Sequence, residues 1–511
     1  MNSLDETNTS RQQSTRRLDS ALLACLFLLA LAAPVSIAAT QTAWVLALLC
    51  WLARAFIARP RGRRAAMDGA VLAFVGLTLV SSVFSYEPLV SLWKMMSVSL
   101  VTIVYLVSEN LMDQRARRRV TAILLVAGAI SVAWTVGWRV AGKNLKVERL
   151  TADSPLRAAG AQEGDTIEKV NTQSINSPEE LVAALTAVPD GGNARATVYR
   201  NEWRFYYNLP LAGWPTSTDA ATQMGIVTWS RGRDTRAAGF YGHYTTYAEM
   251  LQLVASLTLG LLVALVQGSK FKVQSSRFKV LLAAALAAYL VALLLTVTRA
   301  SWASFMVSAS VIVLFGASRR AVLVLALCAV PLVIGGLYFL QQKRGVGFVD
   351  AKDGSTTWRT TVWREGFGVL TTDARHLLVG IGMDSLKTHW QDWKMFDNGK
   401  LPIGHMHSNL LQLAFERGAP TLLAWLAWLA LYWRELWRGL RSHEQTGESA
   451  MEWPEYGLLL GALGGTIGFF TSGLVHYNWG DSEVVMVFYL LMGLSLATLS
   501  SSRFKVQSSK T

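Results

Sequence analysis

The run VLLAAALAAYLVALLLTVT (280–298) carries no charged residue, over a length close to the roughly 20 residues that cross a bilayer core. A second such run, AVLVLALCAVPLVIGGLYFL (321–340), follows directly after Arg319-Arg320. Two spans this close make the chain a polytopic membrane protein. Composition agrees: of 511 residues, 52% are hydrophobic and only 16% charged, against about 25% charged in a soluble domain. One large soluble enzyme, a disordered chain and a secreted disulfide scaffold are all excluded. Cys25, Cys50 and Cys328 each lie inside an apolar run, where no structural bridge of the oxidising type is expected.

Working outward from these runs, apolar stretches bounded by charge or turn residues predict about twelve spans, at 20–39, 41–57, 67–84, 90–110, 120–141, 244–267, 279–297, 300–317, 320–340, 419–436, 456–475 and 484–500. The first lacks a small-residue cleavage site and a second follows almost at once, so it reads as a retained helix rather than a signal peptide. Basic residues then fix the orientation. Arg16-Arg17, Arg54 to Arg64, Arg115 to Arg119, Lys270 to Arg277, Arg319-Arg320 and Arg434 to Arg441 all fall on alternate loops, whereas QT (41–42) and SYEPL (85–89) carry no Lys or Arg. The basic side is the cytoplasmic one, so both termini are expected there. Much of the net charge of +14 is therefore topological and directed at anionic lipid, not at nucleic acid. The strings SSRFKV (275–280, 501–506) and FKVQSS (271–276, 504–509) repeat on that same face and read as a duplicated linker.

Two long segments, 142–243 and 341–418, fall on the opposite side, and function is sought there. Within the first, LKVERLTADSPLRAAGAQEGDTIEKVNTQSINSPEELVAALTAV (145–188) mixes charge, alternating apolar residues and turn formers. Gly160 and Gly164 suit tight turns, and Ser177 can cap a following helix with Glu180 in the capping-box position. Ser154-Pro155 before Ala158-Ala159-Gly160, then Gly164-Asp165-Thr166-Ile167, Val170-Asn171 and Ser177-Pro178-Glu179-Glu180-Leu181, followed by a late strand in ARATVYRNEW (194–203), resemble a bacterial PDZ domain over about 145–209. That resemblance implies a module that accepts an extended peptide on a sheet edge, and hence a protein partner; the competing expectation is a spacer.

After the module, the outward loops carry RAAGF (236–240) with His243 three residues on, TRASW (298–302), STTWRTTVW (355–363), GIG (380–382), HSNLLQLAFERG (407–418) and NWGDSE (478–483). In this order and on one side of the membrane, these strings resemble the O-antigen ligase and polymerase superfamily of polytopic glycosyltransferases, over about 220–485. The resemblance implies an all-α polytopic fold of the GT-C-like kind, with the PDZ-like α+β domain inserted. It divides the chain into N-terminal membrane helices (1–141), the inserted domain (142–210), a ligase-like membrane region (211–340), a large periplasmic loop (341–418) and C-terminal helices with a short tail (419–511). It places the protein in a bacterial inner membrane with its site on the periplasmic face. The implied reaction moves a glycan from undecaprenyl diphosphate to an acceptor hydroxyl, on lipid A core or another lipid or glycan, without metal or other cofactor.

The residues suit that chemistry. A departing lipid diphosphate gains negative charge, and Arg stays protonated and grips two phosphate oxygens at once. Arg236, Arg299 and Arg359 are the expected diphosphate ligands, Arg236 also acting in catalysis. His407 is expected to act on the acceptor hydroxyl, because imidazole titrates near neutrality. His243, Asn409 and Asp481 complete the expected substrate contacts, while Gln412, Glu416 and Gly418 read as structural. His405 and His407 lie two apart, but with neither a nearby Cys nor an H-E-x-x-H string no metal is expected. Trp358, Trp363 and Trp390 are candidates for glycan stacking. Ligase, polymerase and protein O-oligosaccharyltransferase share these motifs. A glycan or lipid transporter is the more distant alternative, for which internal repeats and broken charged helices would be expected. A site-2 type intramembrane protease also pairs spans with a PDZ domain, but requires the H-E-x-x-H string that is missing.

Overall fold

The computed structural model describes residues 2–58, 65–189, 192–200, 203–211, 217–267, 276–317, 354–446 and 451–508. The expected span at 320–340, Cys328, and the basic residues Arg59, Arg61, Arg63, Arg64, Lys270, Lys272, Arg319 and Arg320 lie outside these. The chain forms two compact units, one of residues 1–131 and 240–511, the other of Val132–Gly239.

The first unit is helical: α1 (Asn2–Ala32), α2 (Ile37–Ile57), α3 (Asp68–Val83), α4 (Pro88–Ser99), α5 (Thr102–Asn110) and α6 (Gln114–Ala141), which runs on into the second unit. Seven described helices or helix pairs are long and apolar enough to cross a membrane: α2, α4 with α5, α6, and four further on. Among the described residues, which omit the expected span at 320–340, this measure gives seven and the count of about twelve is not confirmed. α3, expected as a span, is an apolar helix of only 16 residues. The first two spans are divided differently from the expectation. Pro34 has no N–H and cannot continue α1, and Ser36 caps α2 by accepting from the Ala39 N–H at 3.3 Å. The break is therefore at 33–36, and the QT pair at 41–42 lies inside α2.

The second unit is a sheet with a nine-residue helix, Pro178–Thr186, and two four-residue helical turns. Strands β1 (Leu145–Leu150), β2 (Thr166–Val170), β3 (Gln173–Ser174), β4 (Ala194–Arg200), β5 (Trp203–Leu209) and β6 (Ile226–Arg231) pair antiparallel in the order β5-β4-β2-β1-β6, with β3 on β2. Helix α7 (Pro178–Thr186) is capped as expected: Ser177 Oγ accepts from Glu180 N at 3.3 Å, and Glu180 Oε2 accepts from Asn176 N at 2.7 Å. Its Leu181 and Leu185 join Leu145, Val147, Ile167, Val170, Ala196, Val198 and Ile226 in one apolar core. Gly160 (φ +104°) and Gly164 (φ +92°) occupy left-handed turns that favour glycine. The sheet extends past the expected boundary at 210, because β1 takes β6 as its second neighbour. Fully buried Asp165 meets Arg200 through two bonds of 2.6 and 2.7 Å.

The first unit resumes with α8 (Tyr244–Val266), α9 (Ser276–Leu295), α10 (Arg299–Gly316), α11 (Gly354–Thr372), α12 (Ala374–Val379), α13 (Asn409–Arg417), α14 (Ala419–Thr446), α15 (Trp453–Ser472) and α16 (Ser482–Ser508). Of these α8, α9, α10 and α16 are the four remaining candidate spans. α8 packs most extensively against α15. Their backbones touch where glycines face: a Cβ on Gly260 would stand 2.4 Å from Gly461 N and 2.5 Å from Gly457 O.

Candidate functional site

The segment 354–418 builds its own small core. Val362, Leu370, Ile381, Leu386, Met395, Phe396, Met406 and Phe415 are buried together, with Trp358, Trp390 and Trp393 packed on them. The Trp358 indole donates to Pro402 O at 3.1 Å and that of Trp363 to Met406 O at 2.6 Å. Trp390 covers Gly399, where a Cβ would stand 2.6 Å from its ring. These three tryptophans thus serve first as scaffold of the segment. Ser85 and Ser91 tie it to α4 and the loop before it, through Ser385 Oγ at 3.0 Å and Met383 O at 2.9 Å.

This scaffold presents His407. The residue sits in the left-handed region (φ +47°) just before α13, whose N-cap is Ser408. Its ring lies 4.8 Å from Trp358 and 4.1 Å from His405, and its backbone N–H donates to His405 Nδ1 at 3.2 Å. Burial, then His405 and then Arg359, push its pKa down to about 2. The imidazole is therefore neutral throughout the physiological range. His405 is pushed down to about 4 by burial and then by His476, Lys387 and His243. Arg359, on α11, donates to Ser355 Oγ at 2.9 Å, so two residues expected in the site, Arg359 and His407, share one neighbourhood. Arg299 is half-buried and opens α10, after a turn in which Val297 takes φ +53°. Arg236 is half-buried in the second unit, where its charge acts on the Tyr199 hydroxyl.

Asn409 is buried and engaged within the protein. Its Nδ2 donates to Asn478 Oδ1 at 2.6 Å, its Oδ1 accepts from Trp479 N at 3.1 Å, and its backbone N–H reaches Gly473 O at 2.6 Å. The side chain braces α13 to the turn after α15. Gln412 accepts from Met406 N at 2.6 Å, and Glu416 accepts from Asp384 N at 3.0 Å, both contacts of a structural kind. Gly418 (φ +81°) passes so close to Leu378 that a Cβ would stand 2.3 Å from its carbonyl oxygen.

His243 and Asp481 meet through one hydroxyl. Thr246 Oγ1 lies 3.4 Å from His243 Nδ1 and donates to Asp481 Oδ2 at 3.2 Å. Burial, with Glu249 and Glu483 nearby, raises the Asp481 carboxyl to about 7. One turn further along α8, Glu249 Oε1 contacts His476 Nδ1 at 2.9 Å and accepts from Ser472 Oγ at 3.1 Å. Sequence reasoning passed over this pair. The signal was present, since Glu249 is the single charged residue of α8, and an ionisable side chain within a span marks function by default.

Residues 282–426 match the family model described as O-Antigen ligase. The match contains Arg299, Arg359, His407 and Asn409, and supports a place in the O-antigen ligase superfamily for this part of the chain. No curated protein matches the sequence.

Proposed function

We propose that the protein is an inner-membrane glycosyltransferase that moves a glycan from undecaprenyl diphosphate to an acceptor hydroxyl, on lipid A core or another surface glycan. The observation that carries this reading is that the O-Antigen ligase match includes Arg359 and His407, two half-buried residues near enough for the guanidinium charge to lower the His407 pKa. Arg299 and Arg359 grip the diphosphate as it leaves, each guanidinium meeting two oxygens. Arg236, in the motif RAAGF (236–240), is proposed to assist catalysis. Removing one such donor from a preorganised site typically costs a few kcal/mol of transition-state stabilisation. His407, held neutral, offers a lone pair to the acceptor hydroxyl and orients it toward the sugar. Asp481 and His243 line the approach, and the site faces the periplasm. The sheet unit serves as a docking module for a protein partner.

Transfer of lipid-diphosphate-linked glycan by purified protein in detergent with EDTA is the test. Transfer that survives EDTA and is lost in His407→Ala and Arg236→Ala is the expected result. Donor binding without transfer to any lipid, glycan or protein acceptor overturns the reading in favour of a transporter.

A further inference from the structure

Two residues before His407, the ring of His405 helps to shape the loop. The backbone N–H of His407 donates to His405 Nδ1 at 3.2 Å, and His407 holds a left-handed backbone (φ +47°) that a residue with a side chain adopts only where its surroundings enforce it. A backbone N–H can only donate. The lone pair of the His405 ring is therefore at Nδ1, and the proton of the neutral imidazole at Nε2. Burial, then the charges of His476, Lys387 and His243, push the His405 pKa down to about 4, so at pH 7 the ring is neutral and keeps that one tautomer. Among the described residues Nε2 has no hydrogen-bond partner, and His405 is half-buried rather than sealed. Its ring stands 4.1 Å from that of His407 and 5.4 Å from that of Tyr477. A fixed N–H donor thus lies beside the residue assigned to the acceptor hydroxyl.

The charges about the pair select the substrate atom that suits this donor. Arg359 acts on His407 and Lys387 on His405, so a negative ligand atom is favoured next to the two rings. In the transfer reaction the diphosphate carries negative charge, and the oxygen released from the sugar gains more of it as its bond breaks. We propose that His405 is a catalytic hydrogen-bond donor whose Nε2–H meets an oxygen of the departing diphosphate; this rests on the transferase reading above. In the step, the acceptor oxygen bonds to the anomeric carbon while the bond from that carbon to the diphosphate oxygen breaks. The lipid diphosphate departs with the bonding pair, the hydroxyl proton passes to water, and His405 keeps its own proton throughout. A neutral imidazole N–H already in position stabilises the developing charge without reorganisation. His407 then serves the entering oxygen and His405 the leaving one.

Steady-state transfer by the full-length protein tests this, with a synthetic polyprenyl-diphosphate-linked oligosaccharide as donor. Two amides separate the functions of the ring. His405→Gln sets an N–H near the place of Nε2 but gives up the acceptor for His407 N, whereas His405→Asn sets its oxygen near the place of Nδ1 and gives up the outward donor. His405→Ala is expected to lower kcat on the order of 100-fold or more, the usual weight of one preorganised donor, and His405→Gln to recover roughly tenfold of that loss. His405→Asn should recover less. Full kcat in His405→Ala overturns the proposal. His405→Asn as active as His405→Gln, or more so, marks a ring that only braces His407 and overturns it too; should the alanine variant fail to fold, this comparison decides. Free polyprenyl diphosphate should inhibit His405→Gln more strongly than His405→Asn. Equal inhibition, with a raised KM for the acceptor in His405→Asn, moves the contact to the acceptor and overturns the proposal. Variants as active as an active wild type defeat this proposal alone, whereas a wild type without transfer to any acceptor defeats the transferase reading and the proposal with it.

Discussion

If Arg299 grips the diphosphate as proposed, the shape of its cation matters as much as its charge. A lysine there keeps the positive charge but offers a point donor in place of the planar fork. Arg299→Lys should therefore reduce kcat by roughly 10- to 100-fold if one fixed donor is lost; full activity in a transfer assay would remove the bidentate role. Asp481 offers a test through pH. Its folded-state pKa, about 7, lies above the value of about 3.9 expected for the unfolded chain. The stabilisation from the protonated form is then complete below the unfolded pKa and is lost as pH rises through the folded one. Asp481→Asn should raise Tm at alkaline pH and flatten the decline of Tm on going from acid to alkaline buffer, as followed by thermal unfolding in detergent. Individual residues were legible in the sequence to differing degrees. Arg359 and His407 stood out by motif, and folding gathers them. Asn409 also stood in a motif, yet its amide is occupied by Asn478 and Trp479, partners distant in sequence that no local pattern announces.

Elements were readable where the cause is local. The Ser177 cap and the turns at Gly160 and Gly164 follow from neighbouring residues alone, and Ser177→Ala should cost the sheet unit about 1 kcal/mol, measurable by chemical unfolding. The division between α1 and α2 follows from Pro34 and Ser36, but the apolar run continues across it and hides the break. β6 was missed because nothing within IVTWSR (226–231) tells which strand it will join; its partner β1 lies on the other side of the whole module. The bond between Asp165 and Arg200 is likewise long-range. Since Asp165 is fully buried, Arg200→Ala strands a charge inside the core and should destabilise the unit by about 3–5 kcal/mol, far more than loss of the cap.

For the molecule as a whole, the ends of the sheet unit matter most. Lys143 N donates to Gly232 O at 2.9 Å, and Gly232 N to Asn144 O at 3.1 Å, so the chain leaves the module beside the point where it came in. A cut at 145–209, the limits suggested by sequence, would leave β6 without its partner. Replacing 143–232 with a short Gly-Ser linker should give a protein that still extracts as a monodisperse species, while losing any partner that the module recruits; aggregation of the excised form would contradict this. The membrane character, the order of the motifs and the existence of an insertion were all legible from composition and spacing. The contact of Glu249 with His476 was not, because it depends on what the turn after α15 places opposite α8. The contact of Gly260 with Gly457 and Gly461 sets that opposition. Gly260 lies about 16 Å along α8 from Glu249, at 1.5 Å per residue, yet the separation of the two helix axes is dictated there by bare backbone. In evolutionary terms, these glycines would then be as intolerant of mutation as the reacting groups themselves, and a saturation library scored for surface glycan should be depleted at 260, 457 and 461 even of alanine.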